Sequence, residues 1–286
     1  MMTSVKSLEV PHPPRAVLAA LFVGARLGLH LLYGTLLAVF YPRLSHDQQQ
    51  TLLRKWSGQL LDILHITRHG VPPAASDHPQ GLLVVANHVS WLDIFVLNAV
   101  MPMRFIAKDE VRDWPVIGWL CRRSGTLFVK RATRQHLLSL NQRVADLLKQ
   151  QAVIGLFPEG TTTEGGQVGE FYPALFQGAI AAAAPVLPVC VFYHDAQGKH
   201  SQLAAYTGET SLLSSIWRIL LSHDLQVSLT FSAVLNLPTA NRRTLAAAAQ
   251  AAITQLRCAA DEANAQGVSS TLPTPCLHPT PSPRFF

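Results

Sequence analysis

Charge is scarce in this chain. Only 14% of its 286 residues are Asp, Glu, Lys or Arg, against 49% hydrophobic ones. Soluble domains carry about 25% charged residues, so the composition points toward a membrane surface, as does a mean hydropathy of +0.21. Cysteine is also sparse: Cys121, Cys190, Cys258 and Cys276 are scattered and form no C-x-x-C pair. That spacing argues against a structural zinc site, and reduced core thiols are the expected state. Two catalytic signatures are missing. No G-x-S-x-G elbow occurs, which disfavours a serine hydrolase, and no GK[ST] follows a strand, which excludes a P-loop. No internal repeat is present.

The charge that is present is unevenly placed. Of the 23 Lys and Arg, 17 fall in the first 150 residues of a chain with net charge +6. Between Arg104 and Arg134 eight basic residues face three acids, interleaved with Trp114 and Trp119. Such a stretch suits an anionic lipid surface or a phosphorylated ligand. No nucleic-acid-binding motif accompanies it, so nucleic acid is not an expected partner.

The N-terminus holds the main apolar run, "AVLAALFVGARLGLHLLYGTLLAVFYP", residues 16–42, broken only by Arg26 and His30. It exceeds a signal-peptide core, and no convincing cleavage site follows. One long helix would span a bilayer at the cost of a central Arg, about 2.5–3.5 kcal/mol on insertion scales. Alternatively Arg26 divides it into two shorter helices in one leaflet, the favoured arrangement. A buried core helix is the remaining reading.

A polar helix is expected near residues 45–66, capped by Ser45, followed by the Pro- and Gly-rich "HGVPPAASDHPQG". Strands are expected at 82–86, 104–107, 126–130, 153–157, 186–193 and 225–236. Helical stretches alternate with them near 91–100, 109–122, 134–150, 172–184 and 210–222, and a last alanine-rich helix covers about 239–264. The pattern predicts an α/β fold, a mostly parallel or mixed central sheet flanked by helices, behind an N-terminal membrane-associated helical segment. The expected division is a helical segment over 1–67, an α/β domain over 68–265 and a disordered Pro-rich tail over 266–286.

Chemistry in such sheets gathers where strands end and helices begin. The strand "LLVVA" stops at Asn87-His88, and Asp93 follows on the next helix, with Ser90 as its candidate N-cap. An H-x4-D spacing brings a carboxylate back to an imidazole across one turn, which would make His88 a general base. Taken alone, the pair reads equally as a histidine closing a strand beside a helix-capping acid. Other segments change the balance. "SGTLFVKR" delivers Lys130 and Arg131 at a strand end, and "VIGLFPEGTTTEGG" runs a strand into Glu159, Gly160 and Thr161. "AAAAPVLPVCVFYH" sets Pro188 in a strand beside small residues.

In that order and spacing, NHVSWLD, GTLFVKR, FPEGT and PVLPV resemble the glycerolipid acyltransferase family, which includes the 1-acylglycerol-3-phosphate acyltransferases. The likeness covers roughly residues 80–195. It implies a membrane-bound enzyme that moves a fatty acyl group from acyl-CoA or acyl carrier protein to the free hydroxyl of a lysophospholipid, foremost 1-acylglycerol-3-phosphate. By the same resemblance His88 and Asp93 would be catalytic. Lys130, Arg131, Glu159, Gly160 and Thr161 would bind the acceptor, with Arg104 as a further cation, and Pro188 would lie on the acyl-donor side. No metal or other cofactor is implied. The expected partners are membrane lipid and the acyl thioester, at the cytoplasmic face of the inner membrane, in an oligomeric state left open.

Two positions depart from the family pattern. Thr162 stands where many members acting on lysophosphatidic acid carry an arginine after EGT, and Gln177 stands where they tend to carry a lysine. A different acceptor, such as lyso-ornithine lipid or lysophosphatidylethanolamine, is therefore the alternative. A non-catalytic lipid-binding module is the reading from another class.

Overall fold

The computed structural model describes residues 14–72, 81–129, 134–222, 224–236 and 241–266. The long apolar run forms one helix, α1 (Pro14–Phe40), and α2 (His46–Ile63) follows after a short 3-10 turn. Ser45 caps α2 as expected: its hydroxyl accepts from the Gln48 N–H, and the Gln48 side chain accepts from the Ser45 N–H. Then come β1 (Thr67–His69), β2 (Leu82–Ala86), α3 (Asp93–Val100), β3 (Arg104–Lys108), α4 (Ile117–Arg123) and β4 (Leu127–Val129). The rest is α5 (Arg134–Lys149), β5 (Val153–Leu156), α6 (Gln177–Ala182), β6 (Val186–His194), α7 (Leu212–Leu220), β7 (Gln226–Phe231) and α8 (Arg242–Gln266).

The seven strands make one mixed sheet in the order β1-β7-β6-β2-β5-β3-β4. Neighbours are parallel except β6 and β7, which run antiparallel. The expected mixed sheet is thus present. Helices cover both faces, so its central strands read as unbroken apolar runs. The pleat sorts them: Leu82, Val84 and Ala86 enter the core under α1, α2, α3 and α7, while Leu83 and Val85 enter the core under α5, α6 and α8. β1 was not anticipated, because a three-residue edge strand reading Thr-Arg-His carries no apolar alternation. The 109–122 stretch divides into a 3-10 turn, Asp109–Asp113, and α4, with Pro115 in between.

The favoured division of the N-terminal run at Arg26 is corrected: α1 continues through it. Ala20, Val23, Leu27, His30 and Ala38 form its buried stripe, which packs on α2, α4 and α7. Arg26 lies off that stripe and exposed, so it interrupts nothing. Gly34 meets Trp56 so closely that a Cβ there would fall 2.5 Å from the indole nitrogen. The outer face of α1 remains apolar and uncovered, with Leu18, Phe22 and Leu29 each about two thirds exposed. Cys121 and Cys190 are free thiols.

Candidate active site

The chain leaves β2 at Asn87, and a side chain takes over from the sheet ladder. Asn87 Nδ2 donates to the Val191 carbonyl at 2.9 Å, and the Val191 N–H donates to Asn87 Oδ1 at 2.8 Å. This pair of bonds replaces one peptide rung between β2 and β6 and frees the backbone to turn. His88 follows at the C-terminal edge of the sheet, its side chain 20% exposed.

Asp93 opens α3 and is entirely buried. Its Oδ2 accepts from His88 Nδ1–H at 2.7 Å, from the Val89 N–H at 2.8 Å and from the Ser90 N–H at 3.0 Å. The Tyr193 hydroxyl donates to Oδ1 at 2.7 Å. A buried carboxylate needs such a set of donors to stay ionised. With Nδ1 protonated toward Asp93, Nε2 keeps its lone pair and is the basic nitrogen. The imidazole lies flat on Phe157, ring centroids 4.0 Å apart, and Phe157 lies flat on Phe105 at 5.6 Å. Gly155 makes room for this stack, since a Cβ there would fall 2.6 Å from the Phe105 ring.

Ser90 is not the side-chain N-cap of α3. Its hydroxyl is buried with no partner among the described residues, and Asp93 instead ties the turn together by reaching back to two N–H groups. Trp91 and Leu92 pack the turn: Leu92 is fully buried, and the Trp91 indole N–H donates to Ser215 on α7 at 3.1 Å.

Glu159, read from the resemblance as an acceptor ligand, is buried and faces the backbone. Its Oε1 accepts the His88 N–H at 3.2 Å. Burial pushes its carboxyl up from 4.5 to about 7; the N–H groups of His88 and Gly169 oppose the rise and the Asp93 charge adds to it. Gly160 has φ 64°, a left-handed turn suited to glycine, and Thr161 is exposed beside it. Thr163 donates its N–H to the His88 carbonyl at 2.8 Å, and the Thr162 hydroxyl donates to the Tyr206 carbonyl. The FPEGT segment therefore cradles the backbone of His88 from one side. Pro188 is buried in β6 in register with Val85. Lys130 and Arg131 lie outside the described residues. Arg104 begins β3 in register with Ile154, at the sheet edge opposite His88, and so is not part of this site.

Much of the basic stretch serves the fold. The Arg112 guanidinium lies over Phe128 at 4.9 Å, Arg122 donates to the Arg112 carbonyl at 2.6 Å, and Arg123 lies over Trp119 at 5.3 Å. One cavity among the described residues, about 440 Å³ and lined by Lys55, Asp62 and Arg68 among others, contains none of the motif residues. Phe157 and Tyr193 went unassigned in the sequence. The available signal was a phenol inside a wholly buried strand, since such a hydroxyl requires a partner.

The model of the Acyltransferase family matches residues 66–192. The chain is 41% identical over 160 residues to the 1-acyl-sn-glycerol-3-phosphate acyltransferase of Neisseria gonorrhoeae, covering 56% of this chain and 62% of that protein. It is 38% identical over 174 residues to the lyso-ornithine lipid O-acyltransferase of Pseudomonas aeruginosa, covering 60% and 65%. In both cases the match spans less than two thirds of the relative. The crystal structure of the 1-acyl-sn-glycerophosphate (LPA) acyltransferase PlsC from Thermotoga maritima superposes with a TM-score of 0.64 at 22% identity, over 88% of this chain and 97% of that one. That likeness establishes the fold. Residues 66–192 of this chain are thus similar to the Acyltransferase family, in the motif order that the sequence shares with the glycerolipid acyltransferases.

Proposed function

We propose that this protein transfers a fatty acyl group from an acyl thioester to the free hydroxyl of a lysophospholipid, with 1-acylglycerol-3-phosphate as the acceptor. The observation that carries the reading is the His88–Asp93 pair, with Nδ1 engaged at 2.7 Å and the imidazole partly exposed at the edge of the sheet. His88 Nε2 removes the acceptor hydroxyl proton as the oxygen attacks the thioester carbonyl carbon. The tetrahedral adduct then collapses, the C–S bond breaks, and the imidazolium returns its proton to the thiolate. No acyl-enzyme is required, because the thiolate is already a good leaving group. A positioned base of this kind supplies about 10²–10⁴-fold; the remainder comes from positioning and from stabilising the oxyanion. Lys130 and Arg131 hold the acceptor phosphate in this reading. Glu159 acts on the acceptor indirectly, through the His88 backbone that it fixes.

A second acceptor, lyso-ornithine lipid, is favoured by one observation. Thr162 occupies the arginine position of the family pattern, and its hydroxyl is spent on the Tyr206 carbonyl. The names of the relatives include both acceptors.

The protein attaches to one leaflet of the cytoplasmic membrane face through α1. The helix is long and apolar enough to cross a bilayer, but its buried stripe from Ala20 to Ala38 packs against the domain and its outward face is apolar, which supports attachment along one leaflet.

An acceptor panel with one radiolabelled acyl-CoA tests the function. Product is expected from 1-acylglycerol-3-phosphate and none from His88→Ala, which should retain its thermal unfolding profile. Product with lyso-ornithine lipid alone would select the second acceptor, and no product with any lysolipid would refute the enzyme.

A further inference from the structure

Tyr193 belongs to none of the four motifs, yet it completes the innermost contact of the site. It follows PVLPV on β6 and is only 1% exposed. Its hydroxyl meets Asp93 Oδ1 at 2.7 Å, while the His88 ring and two backbone N–H groups converge on Oδ2. We propose that Tyr193 is a positioning residue for the transfer reaction, holding the plane and the charge of the Asp93 carboxylate so that His88 is presented with fixed orientation and basicity. This inference rests on the reading of His88 as the general base.

The physical requirement is specific. A carboxylate turns about its Cβ–Cγ bond, and three donors on one oxygen leave the other in need of a partner. Asp93 is shut off from water, so an unmatched Oδ1 would be relieved only by rotation or by taking a proton. Rotation would move Oδ2 away from Nδ1. Tyrosine meets the need because it reaches from the strand interior and donates without bringing a second cation to compete with the imidazolium. Burial and the Asp93 charge keep its phenol well above the ordinary tyrosine range, so it remains a donor throughout the working pH range. A phenol donor also draws charge from the carboxylate and tempers the pull of Asp93 on the imidazolium proton. Loss of the donor therefore raises the pH at which His88 becomes free to act.

The test compares wild type with Tyr193→Phe in the full-length protein, using an acyl-CoA and 1-acylglycerol-3-phosphate. The expected kcat falls about tenfold to a hundredfold, part of what a positioned base supplies, with both KM values within about twofold. The acid limb of the kcat/KM pH profile moves up by about half a unit. Fluorinated tyrosines at position 193 keep the ring shape and strengthen the donor, so they move the same limb to lower pH. A Phe variant that unfolds at lower temperature but keeps the wild-type kcat and acid limb would overturn the proposal. If the Phe variant does not fold, an acid limb unmoved across the fluorotyrosine series overturns it instead. His88→Ala is assayed in parallel. Full activity in that variant removes the base itself, whereas an inactive His88→Ala beside an unaltered Tyr193→Phe removes only the role of Tyr193.

Discussion

Asn87, Asp93 and Glu159 all spend their side chains on backbone at the point where β2 ends. Asn87 replaces a sheet rung, Asp93 gathers the N–H groups of Val89 and Ser90, and Glu159 takes the N–H of His88. A turn leaving a buried strand carries polar groups that water cannot reach, and each must be matched by protein. His88 is thereby held by its backbone and by Nδ1, leaving Nε2 as the nitrogen available for chemistry. Glu159 makes this arrangement sensitive to pH. Its folded carboxyl titrates near 7, above its unfolded value of 4.5, so the folded state holds the proton more tightly. The stabilisation is complete below about pH 4.5 and is lost as pH rises through about 7, on the order of 3 kcal/mol by linkage. Glu159→Gln keeps an acceptor for the His88 N–H and does not titrate. Thermal unfolding from pH 5 to pH 8 is expected to show the stability difference shifting steadily in favour of the variant, and parallel curves would contradict the assignment. The roles of these residues were only partly legible in the chain. H-x4-D is local and can be read along one turn, whereas Glu159 meets His88 across 71 residues and Tyr193 meets Asp93 across 100.

Among the elements, α1 carries two apolar faces with different fates. Its stripe through Ala20, Val23, Leu27 and Ala38 fits against the domain, aided by Gly34 against Trp56 and by the His30 imidazole, stacked on the Trp56 indole at 5.1 Å. Its opposite face presents Leu18, Leu21, Phe22, Leu29, Leu32 and Leu36 with nothing over them. Burying a leucine or phenylalanine side chain is worth about 1.5–3 kcal/mol, so on the proposed attachment several such residues would hold the protein to a leaflet even after the entropic cost. Substitution of Leu21, Phe22, Leu29 and Leu32 by serine is expected to release the protein from lipid vesicles in flotation while leaving its unfolding temperature nearly unchanged. Retention on vesicles would move the attachment elsewhere. The sequence identified the helix from its apolar length, but a run apolar on all sides gives no clue to which side meets protein. Arg26, which looked like a break, is accommodated because it lies off the buried stripe.

Across the molecule, the sheet brings segments from three distant parts of the chain to one edge: the turn after β2, the end of β5 and the last residues of β6. All three strands run parallel, so their C-terminal ends share that edge, where α/β proteins place their chemistry. The N-terminal helix belongs to the same packed unit, since its buried stripe joins the core formed with α2, α3 and α7. Removal of residues 1–42 is therefore expected to do more than free the domain from membranes. It uncovers Trp56 and Leu220 on the receiving side. The truncated protein should bind an apolar dye and unfold at a markedly lower temperature; an unchanged unfolding temperature would show that α1 contributes no stability.

By itself the sequence determined the class of fold, the order of its motifs and the residues of the candidate site, because periodicity, strand-end residues and motif spacing are local properties of the chain. It also exposed the anomaly at Thr162, which any acceptor assignment must meet. Only the tertiary structure decided that Arg104 faces the wrong edge of the sheet, that Glu159 and Tyr193 serve the His88–Asp93 pair, and that α1 lies docked along the domain as one helix. Those facts depend on strand register and on contacts between residues far apart in sequence, and no local pattern encodes which side chain will stand across a sheet from another.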